Sequence, residues 1–275
     1  FVNQSLSLND FDQMLHKLPE TLKDCFNDLY KNDDHRTGKN HIVFRVMEQI
    51  LRSFILMERE LVSQGNTLII KVLEHIFCKP LWVEKIKREV VFKGTVDRID
   101  SLNGVLRFVD YKTGNVEAND LAYYEMSEVT SDPKKSALFQ VFLYSYVLKE
   151  EFSNQDCLAG VIPLKNYENT FLVTSKRITS KTKKTLLIDS KVHEAYENEL
   201  FLLIEEIYER LESNYPGRCK SAEALRGTVA RENDKFMFMR AAKGRKTLYG
   251  LFEWKKTKNL KGGSIKQLCI DYLES

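Results

Sequence analysis

The chain has 275 residues, of which 43% are hydrophobic and 29% charged, with a formal net charge of +3. This composition belongs to a globular protein long enough to bury a substantial core. No apolar run approaches the ~20 residues a membrane-crossing helix needs, and no membrane partner is expected. The small net charge hides an asymmetry, because Arg218 to Lys266 holds 14 Lys/Arg against 4 Asp/Glu. That tail is about +10 and the rest about −7, so the tail suits a polyanion as well as it suits solvent. The five cysteines, Cys25, Cys78, Cys157, Cys219 and Cys269, form no close pair. Such spacing carries no disulfide, zinc or iron–sulfur signature and suits scattered buried thiols in a reducing cytoplasm. The opening Phe1 to Leu6 has no signal-peptide character. A cytoplasmic fragment of a longer polypeptide, or a trimmed form of one, is expected.

In chain order, residues 8–33 predict one or two short helices, the first capped by Leu8-Asn9-Asp10. From Gly38 to Ser63 the spacing of Ile42, Val46, Ile50, Phe54 and Leu61 predicts one long helix. Leu68 to Phe77 is rich in β-branched residues and predicts a strand. Two more strands follow, Lys87 to Asp100 and Gly104 to Lys112. A polar, acid-rich loop leads to an amphipathic helix over Lys134 to Glu151, on which Gln140 and Tyr144 share a face. Leu158 to Leu164 suits a buried strand, Thr170 to Thr174 another, and Val192 to Leu211 a long helix.

The second and third strands carry the chemistry. Gly94-Thr95-Val96-Asp97-Arg98-Ile99-Asp100 is followed by Val109-Asp110-Tyr111-Lys112-Thr113-Gly114. Asp97 and Asp110 lie in apolar surroundings, where a carboxylate is costly without a cation or hydrogen bonds. Asn103-Gly104 between the strands is a strong hairpin signal, since both residues tolerate positive φ. The hairpin brings the two acids side by side. Lys112, two residues after Asp110, leaves the strand on the same face. That is a site for a hard cation and a phosphate. Asp100 either supports the site from behind or caps the following turn, and the cap is preferred.

These runs, with Gln140-Val141-Phe142-Leu143-Tyr144, resemble the PD-(D/E)XK nuclease superfamily. The branch they resemble is the RecB- and AddB-like nuclease domains of bacterial DNA-repair helicase–nucleases. Val96 stands where the superfamily name has Pro. The resemblance covers roughly Gly38 to Tyr215. It implies an α/β, restriction-endonuclease-like core, with a mixed central sheet flanked by helices. The divisions expected are a helical lead-in (1–37), the nuclease core (38–215) and a basic C-terminal extension (216–275).

The resemblance further implies that Asp97 and Asp110 ligate Mg²⁺, with Mn²⁺ as substitute, and that the backbone carbonyl of Tyr111 adds an oxygen. Lys112 would orient the attacking water or stabilise the charged phosphorane. Gln140 and Tyr144 would support the site and contact nucleic acid. Glu74 could be a further acid facing the site, and His41 the upstream histidine ligand, although Gly38-Lys39-Asn40-His41 matches that motif poorly. Many relatives carry a four-cysteine iron–sulfur cluster, and none is expected here. Lys176, Arg177, Lys181, Lys183 and Lys184 suit phosphate contacts. No Gly-x-x-x-x-Gly-Lys-Ser/Thr pattern occurs, so any motor would lie in a helicase domain or subunit elsewhere. The function expected is Mg²⁺-dependent DNA hydrolysis, as an exonuclease rather than an endonuclease. The rivals are an inactive nuclease-fold module that binds DNA or a partner, and a stand-alone restriction enzyme or exonuclease.

Overall fold

The computed structural model describes residues 1–29, 37–165, 171–179 and 182–214, with three short strands in the C-terminal region. Helix α1 (Leu8–Leu29) is one 22-residue helix that runs through Pro19. Its cap lies one residue earlier than expected. The Ser7 amide and hydroxyl both donate to Asp10, and the Asp10 amide donates back to Ser7 Oγ, a reciprocal capping box. Helix α2 spans Gly38–Ser63, as the sequence spacing predicts. Its buried side differs from the expected stripe, because Ile42 and Val46 are exposed while Phe44 packs with Leu22 and Phe26 of α1.

Strands β1 (Leu68–Val83), β2 (Arg88–Leu102) and β3 (Val105–Lys112) form an antiparallel meander. The β2–β3 turn has Asn103 at φ 51° and Gly104 at φ 85°, the two positive values that Asn-Gly tolerates. A short strand β4 (Ala122–Tyr123) and helix α3 (Ser127–Ser131) precede helix α4 (Ser136–Val147). Leu138 to Val147 are all buried, so α4 is a core helix rather than the amphipathic one expected. Strand β5 (Cys157–Pro163) then pairs parallel with β3, and β6 (Leu172–Val173) closes the edge antiparallel to β5. The order β1-β2-β3-β5-β6 is the five-strand path of a mixed sheet, to which β11 adds a sixth strand off the path. Strands β7 (Ser175–Arg177) and β8 (Lys183–Thr185) join β4 in a small second sheet. Helix α5 (Ser190–Asn214) follows. In the C-terminal region β9 (Phe236–Arg240) pairs with β10 (Thr247–Leu251), and β11 (Ile270–Tyr272) pairs with Val90–Phe92 of β2.

Helices cover both faces of the sheet. On one, Leu106 and Phe108 of β3 pack with α4 and α5 in the main core. On the other, Phe54 of α2 meets Tyr111 of β3 edge-on at 5.4 Å, and Ile55 and Val62 pack near Leu68 and Ile70. The N-terminal segment also joins the sheet, with the amides of Asn3 and Leu6 donating to the carbonyls of Ile70 and Leu68. Of the described cysteines only Cys157 is buried. Cys25 and Cys78 are exposed, which corrects the expectation of buried thiols, and Cys219 and Cys269 lie outside the described residues. No described helix is long and apolar enough to cross a membrane.

Among the described residues one histidine is buried, His193 of α5, whose Nε2 is 3.3 Å from Ser145 Oγ of α4. Burial, helped by Lys149 and opposed by Asp189, holds its pKa down to about 4. A folded pKa below the unfolded value of about 6.5 means the unfolded chain takes up the proton first. Stability is therefore fully present above pH 6.5 and is lost as pH falls towards 4. In urea unfolding, the advantage of wild type over His193→Gln should shrink by about 2 kcal/mol from pH 7 to pH 4. A difference independent of pH would contradict this account.

Candidate active site

Strict alternation would send every second residue of β1 and β2 to one face. It fails twice: β1 shifts register between Ile70 and Val72, which pack on opposite faces, and a second break follows in both strands. Phe77 and Val96 share the main core with Val72 and Ile99, separations of five and three that alternation forbids. The reversal falls at Glu74 and Asp97. The ladder runs Leu73↔Arg98 and then His75↔Val96, skipping that pair, and Glu74 has φ 50°. A non-glycine residue in this region is uncommon and marks strain held by its surroundings.

The β2–β3 ladder ends at the same point. Its last pair is Arg98↔Val109, which puts Asp97 and Asp110 opposite one another one step on. There the Asp97 side chain takes over from the strand: its Oδ2 accepts from the Tyr111 amide at 2.8 Å. This bond satisfies a main-chain donor and fixes the carboxylate at once.

Asp110 is fully buried and pairs with Lys112 Nζ at 2.6 Å. Lys112 is itself buried, and its ammonium also donates to Gln140 Oε1 at 2.6 Å. Gln140 Nε2 donates in turn to the Tyr144 hydroxyl. The chain Asp110–Lys112–Gln140–Tyr144 thus runs from β3 to α4 through two charge-assisted bonds of the ammonium and one neutral bond, in a water-poor setting. Tyr144 is braced by Phe77, edge-on at 6.0 Å. Gly94 makes room for that ring, since a Cβ there would sit 2.8 and 2.9 Å from Phe77 Cζ and Cε1.

Behind β3 lies a second cluster that sequence reading missed. Arg98, on the α2 face, donates from Nη1 to Glu58 Oε1 at 2.7 Å and to the Tyr111 hydroxyl at 3.1 Å. Its Nε donates to Asp100 Oδ2 at 2.6 Å, and Arg107 binds both oxygens of Asp100 at 2.6 and 3.0 Å. Asp100 is therefore no turn cap: at 0% exposure it is the counter-ion of two buried guanidiniums. Burial raises the Glu58 carboxyl, partly offset by Arg98, and raises the Tyr111 phenol to about 12. A sequence signal for Glu58 existed. Leu51, Ile55, Glu58 and Val62 keep the helical spacing of an apolar stripe, so an acid at the third place had to be buried and paired.

The remaining expected residues fall elsewhere. Glu74 is exposed at the gap opposite Asp97. His41 is exposed on the first turn of α2, thirteen residues before Phe54 and so roughly 20 Å away along the axis. Among the described residues no three His, Cys, Asp or Glu side chains gather as a metal-ligating group. Asp97, Asp110 and nearby main-chain oxygen therefore make up the candidate donor set. Two carboxylates with main-chain oxygen fit a hard divalent cation. On the small sheet Lys176, Lys183 and Lys184 are exposed, and Arg177 lies over the Tyr124 ring at 5.5 Å. Lys181 lies outside the described residues, as does most of the basic tail.

The family model for the PD-(D/E)XK nuclease superfamily matches residues 6–226, well over half of the chain, and the chain belongs to that superfamily. The mixed sheet with helices on both faces is consistent with its restriction-endonuclease-like fold, and members usually use divalent metals. No curated protein and no solved structure matches the chain.

The packing of Phe77 over Gly94 yields a test. Gly94→Ala should cost about 1–3 kcal/mol by overpacking. The double variant Gly94→Ala/Phe77→Leu should recover part of that loss, giving non-additive unfolding free energies. Additive losses would show that the ring does not depend on the missing Cβ.

Proposed function

We propose that this superfamily member is a Mg²⁺- or Mn²⁺-dependent nuclease that hydrolyses DNA phosphodiester bonds, in the manner of RecB- and AddB-like domains of repair helicase–nucleases. The observation that carries the proposal is the chain Asp110–Lys112–Gln140–Tyr144 beside an Asp97 locked to the Tyr111 amide. A divalent cation held by Asp97, Asp110 and the Tyr111 carbonyl would neutralise phosphate charge and acidify the attacking water. Gln140 holds the Lys112 ammonium in place. From there the ammonium orients that water or meets the negative charge that builds on the phosphate oxygens as the water attacks. Tyr144, braced by Phe77, fixes Gln140 in turn. Glu74 and His41 remain further ligand proposals, each requiring movement towards the pair.

The working divisions are a lead-in (1–37), a core (38–215) and a basic extension (216–275). We favour exonuclease action, and a helicase domain or subunit as partner. An inactive module is the weaker reading, because burying Asp110 and Lys112 against each other serves chemistry more readily than docking. The β7–β8 hairpin supports DNA as substrate. Lys176↔Lys184 and Arg177↔Lys183 stand directly opposite, and like charges so placed repel unless an anion lies over them.

Two tests follow from this reading. Lys112→Met keeps side-chain volume but removes the ammonium, so turnover on linear DNA should fall by roughly two orders of magnitude. Cation affinity should be kept or tightened, because the ammonium no longer competes for Asp110, and DNA affinity in Ca²⁺ should change little. Near-normal turnover would remove the catalytic role and revive the binding module. Replacing Lys176, Lys183 and Lys184 with Gln should reduce the slope of log affinity against log salt by about 2–3, one phosphate contact per lysine. An unchanged slope would assign the hairpin to solvation.

A further inference from the structure

We propose that the buried cluster Glu58–Arg98–Asp100–Arg107 is a positioning device that acts through the Tyr111 phenol to hold Asp110 and Lys112 in place. The inference rests on the nuclease reading of those two residues. Tyr111 lies between them in sequence, and alternation sends its side chain to the opposite face of β3. The residue is gripped at three points. Its amide donates to Asp97, its ring abuts Phe54, and its hydroxyl accepts from Arg98. Neither neighbour can shift along the strand without breaking that grip. Arg98 in turn directly follows Asp97 on β2, so one guanidinium anchors the backbone beside both acids.

The cluster makes a poor stabiliser. Its two guanidiniums and two carboxylates cancel in charge, and every one is at most 5% exposed. Apolar side chains of similar volume commonly stabilise a core as well or better than such an ion-pair set. One nitrogen, Arg98 Nη2, is buried with no hydrogen-bond partner among the described residues. What the charges supply, and apolar groups cannot, is direction. Asp100 and Glu58 fix the guanidinium plane, Arg107 fixes Asp100 by a bidentate pair, and the remaining reach of Arg98 ends on one hydroxyl.

The test separates positioning from folding. Tyr111→Phe keeps the ring on Phe54 and removes only the hydroxyl. Its kcat on linear DNA should fall about tenfold and its Mn²⁺ half-saturation should rise, as for other partners standing behind metal ligands. KM for DNA and the thermal midpoint should stay near wild type. The double variant Glu58→Met/Arg98→Met leaves Asp100 and Arg107 as a neutral pair. It should melt at or above wild type yet lose at least as much kcat, and adding Tyr111→Phe to it should cost little more. Wild-type kcat in Tyr111→Phe, or in a double variant that melts normally, would overturn the proposal. Hydrogen exchange at the residue-111 amide is an arm independent of activity. Exchange should quicken in Tyr111→Phe, and unchanged exchange counts against the proposal. A wild-type chain that cleaves no DNA in either metal would instead refute the nuclease reading, and the exchange result would then decide the positioning role alone.

Discussion

The hydrogen bond from the Tyr111 amide to the Asp97 carboxylate is the constraint on which the candidate site depends. It stands where β2 and β3 stop pairing, so the main-chain donor of Tyr111 would otherwise be left to solvent or to an unmet burial cost. By accepting it, Asp97 extends the ladder with a side chain and is turned towards Asp110. The reversal of alternation at Glu74 and Asp97 follows from the same break. Regular pairing would have kept Asp97 in strict alternation along β2. A local irregularity thus turns a strand residue into a candidate ligand, as bulges and strained positions do at functional sites.

Charge burial then divides the sheet into two electrostatic compartments. On the α4 face, the Asp110–Lys112 pair is relayed through Gln140 to Tyr144. On the α2 face, four charges close on themselves and on a phenol. Strand β3 separates the two and belongs to both, with Asp110 and Lys112 pointing one way and Arg107 and Tyr111 the other. In a medium of low dielectric constant, each set must be satisfied internally, which makes both rigid. Rigidity is what a hydrolytic site needs, since fixed charges stabilise a transition state without reorganising during reaction.

Much of the sheet was legible in the sequence because it is local. Asn103-Gly104 dictates a tight turn, the turn sets the register, and the register places Asp97 opposite Asp110. The extent of α2 followed from helical spacing in the same way. The face that α2 buries did not, because Phe44 is turned inward by α1, and that contact is tertiary. Glu58 meets Arg98 across forty residues. Asp100 has its partners Arg98 and Arg107 close by in sequence, and reads as a turn cap because the burial that pairs all three is tertiary. The burial of Lys112 was equally hidden, since it depends on α4 closing over the strand. His41 fitted a motif by position alone, and the length of α2 sets it far from the contact at Phe54.

The claim that Asp97 and Asp110 together hold a divalent cation is the one from which the rest of the functional account extends. Isothermal titration of Mn²⁺ into the wild-type protein and into Asp97→Asn tests it most directly. Asparagine can still accept the Tyr111 amide through its carbonyl oxygen, so the fold is spared while the charge is removed. The account predicts a single Mn²⁺ site in the wild type and its loss, or a weakening of about tenfold or more, in the variant. Equal Mn²⁺ affinity in the two proteins would contradict it.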